Sequence, residues 1–158
     1  LGDPEAAVRA IGTGLRAFHD ALPVAECPFS WSITDRRNDI HRRARAGRID
    51  PNKWHSDHRV LTLDQALVRL QRNPPEDDLV VCHGDMCPPN TIIGSQGQCT
   101  GHVDLGSMGV ADRWADLAVA TWSTTWNYGH GWESTLLNAY GIDPDPSRSA
   151  YYRLLYDL

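Results

Sequence analysis

Apolar residues recur along the 158-residue chain in two distinct rhythms. From Asp3 to Leu22, Val8, Ile11, Leu15, Phe18 and Leu22 stand three or four positions apart, which lines one face of an α-helix; Asp3-Pro4 and Pro23 supply its start and stop. Gly12 and Gly14 are expected to weaken it locally. Cys27-Pro28-Phe29-Ser30-Trp31 reads as a loop that lays two aromatic rings on the body of the domain. A second helix is predicted over 34–47 around Ile40. Leu61, Leu63, Ala66, Leu67 and Leu70 mark a third, ending before Pro74-Pro75.

The rhythm then changes, because Leu79-Val80-Val81-Cys82 is a short apolar run of strand type followed by a polar loop from His83 to Pro89. Thr91-Ile92-Ile93 and Thr100 to Val103 flank Gly94-Ser95-Gln96-Gly97-Gln98 and predict a hairpin with glycines at its turn. Asp112 can cap a further helix whose Trp114, Ala118, Trp122 and Trp126 form one stripe. Two short helices follow, over 132–140 and 147–158. There is no repeat, low-complexity tract or interdomain linker. The expected fold class is α+β, mainly helical with one small β insertion.

Composition narrows the function classes. With 41% apolar and 22% charged residues, the chain fits one globular domain that buries a core without disulfides or a structural metal. Fifteen cations against 20 acids give a net charge of -5, which argues against a protein built to coat nucleic acid or an anionic membrane. The arginines at 36, 37, 42, 43, 45 and 48 resemble a basic patch, but Asp35, Asp39 and Asp50 interleave with them and favour a solvated helix face. No apolar run approaches the ~18 residues of a membrane span. Cysteines at 27, 82, 87 and 99 form no CxxC pair and read as reduced thiols of a cytoplasmic protein. A zinc site drawn through Cys82, His83, Asp85 and Cys87 lacks a second ligand pair. Leu1-Gly2-Asp3-Pro4 carries no initiator methionine and no secretory pattern, so the chain is expected to be a fragment or a processed product.

Chemistry concentrates in Val81-Cys82-His83-Gly84-Asp85-Met86-Cys87-Pro88-Pro89-Asn90 and His102-Val103-Asp104-Leu105-Gly106. Phosphoryl transfer needs a carboxylate to accept the proton of an attacking hydroxyl, and hard oxygen ligands for magnesium on the nucleotide phosphates. Asp85 and Asn90 are five residues apart, so one loop serves both tasks. Asp104 returns on the far arm of the hairpin.

His83-Gly84-Asp85 with Asn90, then Asp104-x-Gly106, resembles the HGDxxxxN and DxG signatures of aminoglycoside phosphotransferases and their kinase-like relatives. Cys27-Pro28-Phe29, Gln98 to Gly106, Val110 to Ala118 and Tyr151-Tyr152-Arg153-Leu154-Leu155 look like stretches of the 3′- and 3″-phosphotransferase branches. The resemblance implies a protein-kinase-like C-terminal lobe, with the small hairpin insertion carrying the catalytic loop. It further implies that Asp85 receives the acceptor's proton, that Asn90 and Asp104 bind Mg²⁺, and that ATP or GTP is the co-substrate. His83 packs beneath the loop in such enzymes, and one of Asp112 and Asp116 braces it; for Asp112 a plain helix cap is the competing role. The acceptor implied is an aminoglycoside.

Departures from the family pattern matter too. Ser107 stands where many relatives carry an arginine. Trp122 and Trp126 replace charged residues that face the sugar amines, and form either a stacking platform or part of the core stripe. Asp157 occupies one of the acidic positions near the end that attract a polycation, while Tyr156 occupies its neighbour. Glu133, Asp143 and Asp145 either extend an acidic pocket or are solvated loop charges.

Half of the expected machinery is missing. Gly12-Thr13-Gly14 lies in a helical pattern and not between strands, so it is no phosphate loop. Lys53 is the single lysine among 15 cations and follows Pro51-Asn52 in a polar loop. Residues 1–158 therefore read as a C-terminal catalytic and substrate-binding lobe whose N-terminal nucleotide-binding lobe lies outside this chain, and ATP turnover by the chain alone is not expected. A kinase for another small alcohol, or a ligand-binding lobe without chemistry, are the rival readings.

Overall fold

The structure is a computed structural model that describes residues 3–72, 74, 76 and 78–158. Among these the elements run α1 (Pro4–Ala21), α2 (Ile33–Arg45), α3 (Leu63–Arg69), β1 (Leu79–Cys82), β2 (Thr91–Ile93), β3 (Cys99–His102), β4 (Gly109–Asp112), α4 (Trp114–Tyr128), α5 (Glu133–Tyr140) and α6 (Pro146–Asp157). The Asp3 carboxylate caps α1 by accepting the N–H groups of Glu5 and Ala6 at 3.0 and 3.2 Å, with Pro4 in the first turn. Its apolar stripe is buried, Val8, Ile11 and Leu15 completely. Gly12 does not loosen the helix; it is where α1 packs tightly on α5. A Cβ there would lie 2.6 Å from the Leu136 carbonyl oxygen and 2.9 Å from the Ala139 Cβ of α5. At Gly14 a Cβ would run into Cys99 of β3.

The third helix begins at Leu63, later than its apolar pattern suggests, because a Thr62–Gln65 capping box fixes the start there. Pro75 of the expected stop lies outside the described residues.

The β content exceeds the expected hairpin. β2 and β3 pair antiparallel, Thr91 opposite His102, with an irregularity between Ile92 and Ile93. A second antiparallel pair joins β1 to β4, from Leu79 opposite Asp112 to Cys82 opposite Gly109. Gly109-Val110-Ala111-Asp112 shows no alternation of its own and becomes a strand by pairing with its neighbours. Val110 also exchanges hydrogen bonds with the 29–31 segment, donating to Phe29 O and accepting from Trp31 N, both at 2.9 Å. That pairing sends the two aromatic rings apart. Trp31 packs against the core, whereas Phe29 is 57% exposed.

α4 runs through the middle of the molecule, buried from Trp114 to Thr124, with α6 packed against it and α5 against α1. The tryptophan stripe stops at Trp122; Trp126 leaves the core and is 48% exposed. α2 carries a surface face as expected, with one exception. Arg36 is buried, donating to Leu155 O at 3.2 Å with its guanidinium 4.8 Å over the Trp31 ring. Lys53 is exposed, in a short 3₁₀ turn. The four cysteines are free thiols. No helix among the described residues is long and apolar enough to cross a membrane.

Candidate active site

The polar loop that leaves β1 is held from below by Asp116, in the first turn of α4. Its fully buried carboxylate accepts the N–H groups of His83 at 2.6 Å and Gly84 at 2.9 Å, and bonds to His19 Nε2 at 3.0 Å. The opposite ring nitrogen of His19 meets the Tyr140 hydroxyl at 2.8 Å. Nε2 donates to the carboxylate, so Nδ1 accepts from the tyrosine when the ring carries a single proton. Burial pushes the Asp116 carboxyl up, but His19 and the two backbone donors outweigh it and hold the group below the ordinary carboxylate range. Asp112 has other work: it accepts from Trp114 N at 2.9 Å and Asp78 N at 3.3 Å, and pairs with Arg148 of α6 at 2.8 Å. Of the two acids that the sequence offered as braces, Asp116 touches the loop. Asp112 instead ties the start of α4 to α6.

His83 is wholly buried beneath the loop. Its Nε2 donates to Val103 O at 2.8 Å, and its Nδ1 accepts from Asp85 N at 3.3 Å. Gly84 takes φ 84, and a Cβ on it would collide with the Ser107 carbonyl. Glycine here lets the 104–107 turn close directly over the loop.

Asp85 thereby lines a cleft of about 500 Å³ together with Trp31, Asp35, Arg36, Gly84 and Tyr156 among others. Its Oδ1 accepts the Tyr156 hydroxyl at 2.7 Å and lies 3.3 Å from the Cys87 thiol. Asn90 reaches back to it, donating its amide N–H to Asp85 O at 2.8 Å. That contact orients the Asn90 amide and leaves its carbonyl oxygen for another partner. The Asn90 backbone carbonyl accepts from Val103 N at 3.0 Å, which continues the hairpin ladder and puts Asp104 one residue beyond the position paired with Asn90. Asp104 adopts the left-handed region at φ 63, ψ 50, and its exposed carboxylate has no hydrogen-bond or ion-pair partner among the described residues. The Asp104 carboxylate and the Asn90 amide oxygen, carried on paired arms of the hairpin, are both hard-oxygen donors of the kind that suits Mg²⁺.

The substrate residues expected from the sequence scatter. Asp157 accepts from His55 N at 2.9 and 3.1 Å and pairs with His58 Nδ1 at 2.7 Å. Trp122 is buried with its indole N–H on Asp57 at 3.3 Å, and Trp126 donates to His55 Nε2 at 3.1 Å. Glu133 pairs with Arg153 at 3.1 Å and lines a separate depression. These four residues anchor the 54–58 segment and α6, and none of them lines the cleft at Asp85. The drawn zinc set does not converge either. The Cys82 sulfur is buried against Asp112 O at 3.4 Å, and burial pushes that thiol well up. The His, Cys, Asp and Glu side chains that do converge among the described residues are His19, Cys82 and Asp116, and hydrogen bonds already account for the His19 and Asp116 pair.

Three residues escaped the sequence reading. His19 left a trace, as a polar side chain four positions after Leu15 on the apolar stripe of α1. Arg36 left none, being one arginine among six. Tyr156 was noted only as the neighbour of Asp157, and nothing in the chain linked it to Asp85.

Residues 2–152 match the phosphotransferase enzyme family. The chain belongs to that family. The chain is 36% identical over 159 residues to an aminoglycoside 3′-phosphotransferase of Streptomyces fradiae, a match covering 95% of the chain and 58% of the relative. Among solved structures, aminoglycoside 3′-phosphotransferase of type VIII superimposes with a TM-score of 0.83 at 29% identity, covering 96% of the chain and 60% of that protein. The aminoglycoside phosphotransferase APH(3″)-Id of Streptomyces rimosus, in complex with ADP and streptomycin, gives a TM-score of 0.79 at 27% identity, covering 95% and 61%. The chain thus spans about three-fifths of these relatives' length.

Proposed function

We propose that the chain is the catalytic, acceptor-binding lobe of an ATP- and Mg²⁺-dependent phosphotransferase that phosphorylates a hydroxyl group of an aminoglycoside. The observation that carries this reading is that Asp85 lines an open cleft on a loop braced by Asp116, with the Asn90 amide held against it. The similarity to a relative solved with ADP and streptomycin supports both the nucleotide and the acceptor class. The relatives' greater length supports a nucleotide-binding lobe preceding this one in the complete enzyme.

Asp85 would hold the acceptor hydroxyl by its proton and accept that proton as the oxygen attacks the γ-phosphorus in line with the departing ADP. Asn90 and Asp104 would hold Mg²⁺, which supplies charge neutralisation for the β- and γ-phosphates when bound. Asp116 and His83 keep the loop in register, so little reorganisation remains at the moment of transfer. Such a reaction draws on ATP, and a cytoplasmic location follows from it.

In the complete enzyme, Asp85→Ala lowers aminoglycoside phosphorylation by about 10³-fold or more, while calorimetric affinity for kanamycin or streptomycin changes by only a few fold. Near-normal turnover by that variant overturns the mechanism. One observation favours a second reading, a kinase for a less cationic alcohol. The cleft's acids already have partners, Asp35 in the Ser30 and Ser32 hydroxyls and Asp39 in Arg42 and Arg43. Turnover of neutral or aromatic alcohols in preference to kanamycin and streptomycin would select it.

A further inference from the structure

The last turn of α6 is gripped on three consecutive residues. Leu155 O accepts from the buried Arg36 guanidinium at 3.2 Å. The Tyr156 hydroxyl donates to Asp85 Oδ1 at 2.7 Å. Asp157 accepts from His55 N and pairs with His58 at 2.7 Å. Arg36 has no carboxylate partner among the described residues, and Arg36 and Asp157 are each committed to securing this turn. A helix end fixed on both flanks delivers the tyrosine between them to one place, and that place is the carboxylate on which the proposed reaction depends.

An O–H donor at 2.7 Å on one carboxylate oxygen does two things. It fixes the rotation of the carboxyl group, and together with the Cys87 thiol at 3.3 Å it fills both acceptor sites of Oδ1, so an incoming hydroxyl donates to Oδ2, where the Asn90 amide makes only a long 3.5 Å contact. We propose that Tyr156 is the positioning residue for Asp85: its hydroxyl holds Oδ1 and presents Oδ2 to the acceptor, with the Arg36- and Asp157-clamped end of α6 as its mount. This rests on the reading of Asp85 as the proton acceptor. In this role the tyrosine orients the base and offers no charge to the acceptor. Burial first, then the neighbouring Asp85 and Cys87, raise the Tyr156 phenol above the ordinary tyrosine range, so it remains a protonated donor at neutral pH.

The test uses the complete enzyme and Tyr156→Phe, which removes one oxygen and keeps the ring. With kanamycin and ATP, kcat is expected to fall about 10-fold while KM for ATP stays within twofold, the split that a misoriented base produces and a loosened fold does not. A ¹³C titration of the labelled Tyr156 ring gives a second readout that needs no turnover: its ionisation is expected well above that of an ordinary tyrosine in the wild type and closer to it in Asp85→Ala. A kcat within twofold of wild type for Tyr156→Phe overturns the positioning role, as does a ring titration insensitive to Asp85. Phosphate appearing on Tyr156 itself overturns it too, since the phenol would then be an acceptor and not a support. A wild-type enzyme that transfers no phosphate, with the Tyr156 titration still coupled to Asp85, refutes the proposed reaction and leaves the contact standing.

Discussion

Asp104 is the one non-glycine among the described residues with positive φ, at 63°. For L-residues the left-handed region costs roughly 1–2 kcal/mol, less for Asp than for bulkier side chains, and such strain gathers at functional sites. Asp104→Gly is therefore expected to raise the stability of the complete enzyme by up to about 1 kcal/mol, read from the urea midpoint, while abolishing Mg²⁺-dependent turnover. A variant that is less stable would show that the carboxylate serves the fold instead. At this scale the segment carrying Asp85, Asn90 and Asp104 drew attention in the sequence through its residue types and its resemblance to the HGDxxxxN and DxG signatures, and their roles belong to the proposed reaction. Tyr156 and His19 were not legible there: their partners lie 71 and 97 positions away.

Elements were legible where a period dominated. α1, α4 and the β2–β3 hairpin appear where the apolar pattern and the glycine turn put them, to within a few residues. β4 did not, since its strand character comes from β1 and the 29–31 segment flanking it and not from its own residues. Gly12 shows the same limit from the other side. Intrinsic propensity makes glycine a defect worth roughly 1 kcal/mol in a helix, yet here it is the contact that lets α1 and α5 close. Gly12→Ala gains the propensity and loses the packing. With the new methyl 2.6 Å from the Leu136 carbonyl, packing wins, and a net loss of about 1–3 kcal/mol is expected by urea unfolding. A stabilised variant would mean that α5 yields easily.

Over the whole molecule, α1, α5, α4 and the loop carrying Asp85 meet at one buried carboxylate. The native state holds Asp116 below the ordinary carboxylate range, so it binds fewer protons there than the unfolded chain does. Its contribution is complete above the unfolded value of about 4 and is lost as pH falls through the lower folded value. Thermal scans from pH 6 to pH 3 are expected to show this decline. In Asp116→Asn they should start lower and decline less steeply, and parallel curves for the two proteins would contradict the assignment.

Membership in a phosphotransferase family, the helical character of the chain and the position of the loop that carries Asp85 are properties of short stretches of chain. Hydrophobic period and motif spacing act over ten or twenty residues, and they are written where they act. The union of Asp116 with His19 and the loop, the seating of Tyr156 on Asp85, the burial of Arg36 and the diversion of Asp157, Trp122 and Glu133 away from the cleft were decided only when the helices packed. Each joins side chains distant in sequence, and which of several tyrosines, arginines or acids arrives at a given point depends on the shapes of the faces that close around it.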